Sequence, residues 1–389
     1  MSRSARQPTG IDRIERVYAR RLLDESVPLY GLVATRLGYL ILDQSGVAAA
    51  LEGVRAAAPD FLSRFLPRGA DVDPALETAL RRNAVARSAR GRLTKHLARV
   101  LPPGTSYINL GHSNLRSEVF GALRQARVAT ATVFLHDTIP LDHPETQKPG
   151  TVASFQAKLA VAAAHADHVI CPSRASAKAA RPWLAAAGRV PQITVAHLGP
   201  SDIVEFASVP EAAMQPYFLC LGSLEPRKNL SFLLDLWQTA PQPMGAELVI
   251  VGPPGWAGDS VVARAEQMRR DGLPVRYAGT PDDTEVSALL RGAAALLAPS
   301  LAEGFGLSLL DAAFLGTPII CHDLPVTREI LGDIPVYADV ADQYAWRQAI
   351  HSALEIRRRG VGKNGERGED RIAGLPSWNA HFDIVLSLI

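Results

Sequence analysis

At 389 residues the chain exceeds what one hydrophobic core sustains, since single cores stop growing at roughly 250–300 residues, so two domains are expected. Hydrophobic residues make up 47% and charged residues 21%, ordinary values for a globular protein, and no stretch reaches the roughly 20 uncharged apolar residues that a membrane span needs. A net charge of +2 is too small to mark a nucleic-acid binder, and no nucleic-acid partner is expected.

In chain order, Met1 to Gly10 is short, polar and basic and lacks the apolar core of a secretory signal, so a cytoplasmic protein is expected. From Thr78 to Ser117 there is no acidic residue, whereas Arg81, Arg82, Arg87, Arg90, Arg92, Lys95, Arg99 and Arg116 are all basic. One reading is a solvated helix face. The other is peripheral contact between Arg81–Arg99 and the anionic inner leaflet of a membrane, to which each basic residue would add about 1 kcal/mol.

Short apolar runs then alternate with stretches of helical period, the pattern of parallel α/β architecture. Strands are expected at Tyr107–Leu110, Val128–Leu135, His168–Cys171 and Ile193–Ala196, with helices such as Val152–Ala164 and Ser176–Ala186 between them. The second half repeats the pattern at Tyr217–Leu221, Glu247–Val251, Val275–Tyr277, Ala295–Ala298 and Pro318–Cys321. Asp282 followed by Glu285 has the capping-box form of a helix start. Gly199–Pro216 carries three prolines and no period, which places a hinge there. The expected division is an N-terminal Rossmann-like acceptor domain over 1–205, a C-terminal donor domain over 206–370, and a last helix within 371–389 that packs back on the first domain. Two doubly wound parallel sheets would then face each other across a cleft. The cysteines, Cys171, Cys220 and Cys321, all sit in strand-like runs and read as reduced core thiols. Cys321 and His322 are strand neighbours that point to opposite faces, which excludes a nucleophilic dyad.

Ligands of doubly wound sheets bind beyond the carboxyl ends of the strands. Two segments occupy such places. In Gly222-Ser223-Leu224-Glu225-Pro226-Arg227-Lys228-Asn229, a strand delivers two cations to the cleft edge, and Asn229 is expected to cap the helix that follows. Dipole and cations together suit a diphosphate, although the same loop also reads as a solvated basic turn. In Glu303-Gly304-Phe305-Gly306-Leu307, the glycines let backbone amides approach a phosphate at a helix start. Glu303 and Asp311, as acceptor-only carboxylates, suit sugar and ribose hydroxyls. His112 and His322, at strand ends, are either cleft-lining or ordinary loop residues; His143, His165, His168 and His197 have no partners at metal-ligand spacing.

The stretch EGFGLSLLDAAFLGTPII, with GSLEPRKN and VIVGPPGW before it, resembles the donor half of the family-4 retaining glycosyltransferases, whose signature is two acidic residues separated by seven positions around a GFG loop. VFLHDTIPLDHPE and TGIDRIERVY are similar to segments of bacterial members that extend lipid-linked or lipopolysaccharide sugar chains, often mannosyltransferases. The resemblance implies the GT-B fold and a retaining transfer of a hexosyl unit, mannosyl favoured, from a nucleoside-diphosphate sugar to a glycan or lipid-linked acceptor in cell-surface polysaccharide synthesis. It further implies that Lys228 and the amides of Gly304 to Gly306 hold the diphosphate, that Glu303 holds the transferred sugar, that Asp311 binds the ribose, and that His136 faces the sugar from the first domain. Gly222, Arg227, Phe305 and Leu307 complete the donor-binding set. Asp311 stands where Glu is usual, Ser223 where Arg is frequent and Ser308 where Pro is common.

Cations and amides stabilise a departing nucleoside diphosphate without a metal; Asp282-Asp283 reads as a helix cap, so no metal or other cofactor is expected. A dinucleotide oxidoreductase is disfavoured, because Pro253 and Pro254 remove amides that the loose fingerprint Gly252, Gly255, Gly258 would use. A sugar-nucleotide epimerase on the same fold and a binding-only homologue remain as alternatives.

Overall fold

Thirteen strands lie among the residues that the computed structural model describes, 9–35, 37–52, 74–205, 215–239, 245–359 and 374–389. The first three, β1 (Gly31–Thr35), β2 (Gly38–Leu42) and β3 (Ala84–Ser88), form a small antiparallel sheet. Next come β4 (Ser106–Asn109), β5 (Thr130–Phe134), β6 (His168–Cys171) and β7 (Gln192–Val195), parallel and paired in that order. The largest sheet comprises β8 (Tyr217–Leu221), β9 (Glu247–Val251), β10 (Val275–Tyr277), β11 (Ala295–Ala298), β12 (Ile319–Cys321) and β13 (Val336–Tyr337), all parallel, in the order β10-β9-β8-β11-β12-β13.

Strands covered by helices on both faces bury both sets of side chains, so they read as continuous apolar runs rather than alternations. Phe218 and Leu219 of β8, Leu248 and Val249 of β9 and Ala295 of β11 are fully buried, and Phe218 pairs with Leu248 across the ladder. Cys171, Cys220 and Cys321 are buried and unpaired within these runs.

The order of the largest sheet positions the site. The chain runs outward from β8 through β9 to β10, then returns past β8 to lay down β11, β12 and β13 on its other side. The loops after β8 and β11 therefore leave in opposite senses, and a crevice opens between them at the carboxyl edge. The four-stranded sheet has no such reversal: it winds one way only, so the doubly wound form expected of both lobes is present in the second alone among the described residues. The antiparallel hairpin of β1 and β2 was not foreseen.

Two local expectations resolve differently. Asp282 and Glu285 form the reciprocal capping box, with Glu285 N donating to Asp282 Oδ1 at 2.9 Å and Asp282 N to Glu285 Oε2 at 3.0 Å. Asn229, by contrast, makes no side-chain cap. Pro226 opens a 3₁₀ turn over Pro226–Lys228, Asn229 N donates to Pro226 O at 3.0 Å, and Asn229 takes the left-handed conformation at φ 53° that Asn tolerates better than most residues. Half of the proline-bearing hinge segment 199–216, residues 206–214, lies outside the described residues.

The lobes are joined by buried polar contacts. The helix Trp378–Leu386 lies against the first lobe and the helix Gly10–Leu23: Trp378 Nε1 donates to Pro200 O at 2.7 Å, and Phe382 packs edge-on to Tyr18. His381 Nδ1 sits 3.2 and 3.1 Å from the carbonyls of Ala196 and His197, while Nε2 lies 2.6 Å from Tyr18 Oη. Carbonyls only accept, so Nδ1 carries the proton and the Tyr18 hydroxyl donates to Nε2. Burial, which pushes the imidazole down to about 4, keeps it in that neutral form. Elsewhere Glu329 crosses to the first lobe, accepting from the amides of Arg174 and Ala175 at the start of helix Arg174–Ala186 (2.6 and 3.0 Å) and pairing with His197 at 2.7 Å. Arg13 forks onto Asp283, with its closer nitrogen–oxygen pair 2.5 Å apart.

Tyr18→Phe removes the hydroxyl that donates to His381 Nε2 and leaves that buried acceptor without its partner. Unfolding by urea is expected to show a loss of about 1–3 kcal/mol; an unchanged midpoint and slope would contradict the hydrogen-bond assignment.

Candidate active site at the strand-order reversal

Between β8 and β11, two cations converge on one carboxylate. Lys228 Nζ is 2.5 Å from Glu303 Oε1, and Arg227 Nη1 is 3.2 Å from Glu303 Oε2 and 3.2 Å from the Ala302 carbonyl. Leu301 N donates to Arg227 O at 2.7 Å, stitching the two loops together. A second carboxylate, Glu225, holds Arg227 Nε at 2.9 Å. The Glu303 side chain is only 8% exposed. Burial alone would raise its pKa, but Lys228 and Arg227, with a hydrogen bond from Ser300, more than offset that and hold the carboxyl at about 2. Glu303 is therefore ionised throughout the neutral range.

Two glycines in these loops have different reasons, a positive φ at Gly222 and the approach of the loops at Gly252. Gly222 has φ +139°, and a Cβ there would stand 3.6 Å from Lys228 Nζ, while a Cβ at Gly252 would fall 2.0 Å from Gly222 O. Gly252 thus permits close packing of the β9 loop on the β8 loop. A small pocket adjoins the ion cluster, walled by Gly222, Ser223, Lys228, Ser300, Glu303 and Ser308.

Gly304, Phe305, Gly306, Leu307 and Asp311 do not line that pocket. Gly304 faces the first lobe instead: its carbonyl accepts from Ser176 Oγ at 2.8 Å and Ser173 Oγ at 3.2 Å, and a Cβ there would meet His136 O at 2.8 Å and Asp137 Oδ2 at 3.0 Å. Phe305 is buried in the core, its ring 6.4 Å from that of His197. Gly306, at φ 89°, starts the helix Leu307–Phe314, and Leu307 packs on the core as a half-buried residue. Asp311 is 3% exposed and accepts from Ser201 N and Ser201 Oγ, each at 2.7 Å. The structure thus turns Asp311 toward the interlobe connection rather than the pocket, because it lies more than a turn inside its helix. Burial pushes this carboxyl up to about 6 despite the two Ser201 bonds.

From the first lobe, His136 comes to the seam two residues beyond β5. Its Nε2 lies 2.7 Å from Leu110 O, so that nitrogen donates, and burial together with the neighbouring His112 pushes the imidazole down to about 3. The two rings are 5.3 Å apart. His112 Nε2 lies 2.9 Å from Phe134 O, and burial lowers its pKa to about 4. Both histidines are neutral at pH 7, so the first lobe supplies no histidine cation here. His322 lies outside this group, its ring toward Ala338 O. Sequence reasoning overlooked Asp137, which burial shifts upward and which feels the charges of Arg227 and Glu303 across the seam. Its position directly after His136 was the available signal. Ser300, Ser223 and Ser308 as pocket walls were also missed.

The basic segment is partly dismantled. Arg81 is buried at 4% exposure and pairs with Glu77 at 3.1 Å, and Arg87 donates to Arg81 O, whereas Arg90, Arg92, Lys95 and Arg99 are exposed. The contact surface expected over Arg81–Arg99 therefore excludes Arg81. No helix among the described residues is long and apolar enough to cross a membrane, and none of their His, Cys, Asp and Glu side chains gather in threes as a candidate metal site.

Comparison with known proteins gives a consistent assignment. Residues 215–355 match the family described as Glycosyl transferases group 1. An O-antigen chain mannosyltransferase B of Escherichia coli is 33% identical over 158 residues, covering 40% of this chain and 41% of the relative. The serotype-specific mannosyltransferase WbdA of Escherichia coli is 30% identical over 257 residues, covering 60% and 30% respectively. The chain thus matches less than half the length of either relative. Among solved structures, Anabaena HepE in complex with UDP and glucose superposes with a TM-score of 0.60 at 17% identity, over 82% of this chain and 89% of that one. The trehalose-6-phosphate synthase OtsA does so with 0.60 at 13%, over 99% and 95%.

Asp311 supplies a test of its placement. Its folded-state pKa is raised, so the carboxyl favours folding below the ordinary value near 3.8 and loses that advantage as pH rises through about 6. Asp311→Asn keeps an acceptor for Ser201 N without the buried charge. Its melting temperature is expected to gain on the wild type as pH rises from about 4 through about 6 and to hold a constant difference above that, and a difference independent of pH across that window would contradict the buried-charge account.

Residues 215–355, which carry the ion cluster, match the glycosyl transferases group 1 family, and the chain as a whole has the GT-B fold of parallel α/β lobes.

Proposed function

We propose that this protein is a retaining hexosyltransferase that moves a sugar, mannosyl favoured, from a nucleoside-diphosphate donor to a glycan or lipid-linked acceptor in cell-surface polysaccharide assembly. The observation that carries the reading is the convergence of Lys228 and Arg227 on Glu303 at the strand-order reversal. Departure of a nucleoside diphosphate develops negative charge, and preorganised cations in a water-poor crevice stabilise it. A diphosphate docked at Lys228 would share or replace Glu303 as its partner, freeing an ionised carboxylate to accept from sugar hydroxyls. His136 and Asp137 would approach that sugar from the opposite lobe. Neutral imidazole suits hydrogen bonding to a hydroxyl better than charge stabilisation. The mannosyl preference rests on the mannosyltransferase names of the sequence relatives, whereas the solved neighbour HepE is described with UDP and glucose. Catalysis is proposed to be metal-independent and the protein cytoplasmic.

Thermal-shift titration against GDP, UDP and their sugars reads out donor choice, because a ligand that binds only the folded state raises its melting temperature. GDP and GDP-mannose are expected to give the larger shifts. Glu303→Ala is expected to lower turnover of the preferred donor by roughly 10² or more while nucleoside-diphosphate binding persists, and chelator is expected to leave the wild-type rate unchanged. Wild-type protein that neither hydrolyses nor transfers from any donor that it binds would sink the enzymatic reading and leave a binding-only homologue.

A further inference from the structure

Trp256 is a large aromatic side chain that core packing does not explain. It is 38% exposed, belongs to none of the buried hydrophobic clusters, and its ring meets no other ring among the described residues. A lone exposed apolar residue is ordinary, but this one is anchored at its polar end. Its Nε1 donates across the seam to Thr146 O at 2.8 Å. Thr146 is buried and ends the short turn Pro144–Thr146, which follows His136 and Asp137 along the first lobe.

The loop that carries the indole is held firmly. Pro253 and Pro254 fix two φ angles, and Leu224 N donates to Pro253 O at 3.0 Å. A Cβ at Gly255 would fall 2.7 Å from Glu225 Cγ, so the loop rests on the carboxylate residue that holds Arg227. Ala257, directly after the indole, takes the left-handed conformation at φ 63°, which Ala seldom adopts. The strand order sets β9 across β8 from β11 and β12. Trp256 therefore meets the first lobe on the other side of the ion cluster from Gly304 and Glu329, at the mouth of the crevice.

With the N–H spent on Thr146, what the side chain offers to solvent is flat aromatic surface held in one place. Carboxylates of both lobes stand near it: half-buried Glu225 under the loop, and exposed Glu145, next to Thr146 and 3.4 Å from His143 Nδ1. A pyranose presents the matching pair of features, a face of C–H bonds that stacks on an indole and a rim of hydroxyls that donate to carboxylates. A nucleobase would also stack, but it arrives tethered to a diphosphate, which two flanking carboxylates disfavour; a neutral sugar meets no such penalty. We propose that Trp256 is the platform of a sugar subsite at the crevice mouth, on which a neutral pyranose of the acceptor glycan stacks while Glu225 and Glu145 accept from its hydroxyls. The inference deepens the transferase reading and rests on it for the role of the glycan as acceptor.

The experiment uses the full chain and needs no turnover. The five tryptophans are replaced biosynthetically by 5-fluorotryptophan, and the fluorine resonance of Trp256 is assigned from its loss in Trp256→Phe. Titration with an α-linked mannotriose is expected to move that resonance saturably and to leave those of the buried Trp237 and Trp346 in place; glycerol at equal hydroxyl concentration is expected to move none. In saturation-transfer difference titrations, Trp256→Ala is expected to weaken mannotriose about tenfold, the scale of one lost aromatic contact. Trp256→Phe, which keeps a ring without the N–H, is expected to stay within about threefold of the wild type. Should Trp256→Ala lose its native circular dichroism, the wild-type resonance shift and Trp256→Phe carry the test. Absence of mannotriose binding, or binding that leaves the Trp256 resonance unmoved, overturns the proposal. So does a loss in Trp256→Phe as large as that in Trp256→Ala, which would assign the indole to the bridge with Thr146 alone. Thermal shifts by GDP and UDP are expected to persist in Trp256→Ala, and their loss in that variant would make the ring a nucleobase platform and overturn the sugar subsite. A wild type that responds to neither nucleotide sinks the transferase reading instead, so the two failures give different results.

Discussion

One buried carboxylate, Glu303, held ionised between Lys228 and Arg227, is the constraint on which the rest of the site depends. An ionised group out of water is tolerated only with compensating charge and hydrogen bonds at close range. That requirement fixes the loop after β8 against the loop after β11 and keeps both at the crevice that the strand order opens. It also tethers the glycine-bearing turn that follows Glu303, whose Gly304 carbonyl is then within reach of two serines of the other lobe.

The same turn therefore meets three demands. Its first residue belongs to the ion cluster, its second to the interlobe seam, and its third residue, Phe305, to the core. The helix that follows continues the interlobe role through Asp311 and Ser201, while Glu329 caps the helix Arg174–Ala186 from across the seam. Polar contacts of this kind are short and directional, so they set the relative position of the lobes more narrowly than apolar packing would. Any ligand that competes for Glu303, Lys228 or Arg227 acts on the end of this chain of contacts.

The first lobe answers a different demand. Its four-stranded sheet ends at β4 with an edge that no described strand covers, and the hairpin of β1 and β2 with β3 forms a separate antiparallel sheet beside it. Between them lies an apolar cavity bounded by a basic helix, in the lobe expected to meet the acceptor.

The sequence by itself determined the parallel strands of both lobes, the capping box at Asp282, the reduced cysteines and the segments that meet at the crevice. Each of these is written locally: a strand buried on both faces is a short apolar run, and a cap is a pair of residues three apart. Tertiary structure alone decided the direction of side chains at the ends of those elements. Asp311 stands at the family's spacing but faces Ser201, Arg81 lies in a basic run but pairs with buried Glu77, and Asn229 sits at a helix start but in a left-handed conformation imposed by the turn before it. The adjacency of Asp137 to His136 was the one local sign of its place, while the charge it feels across two lobes and the empty volume along β4 are made by residues far apart in the chain, and only the folded chain brings them together.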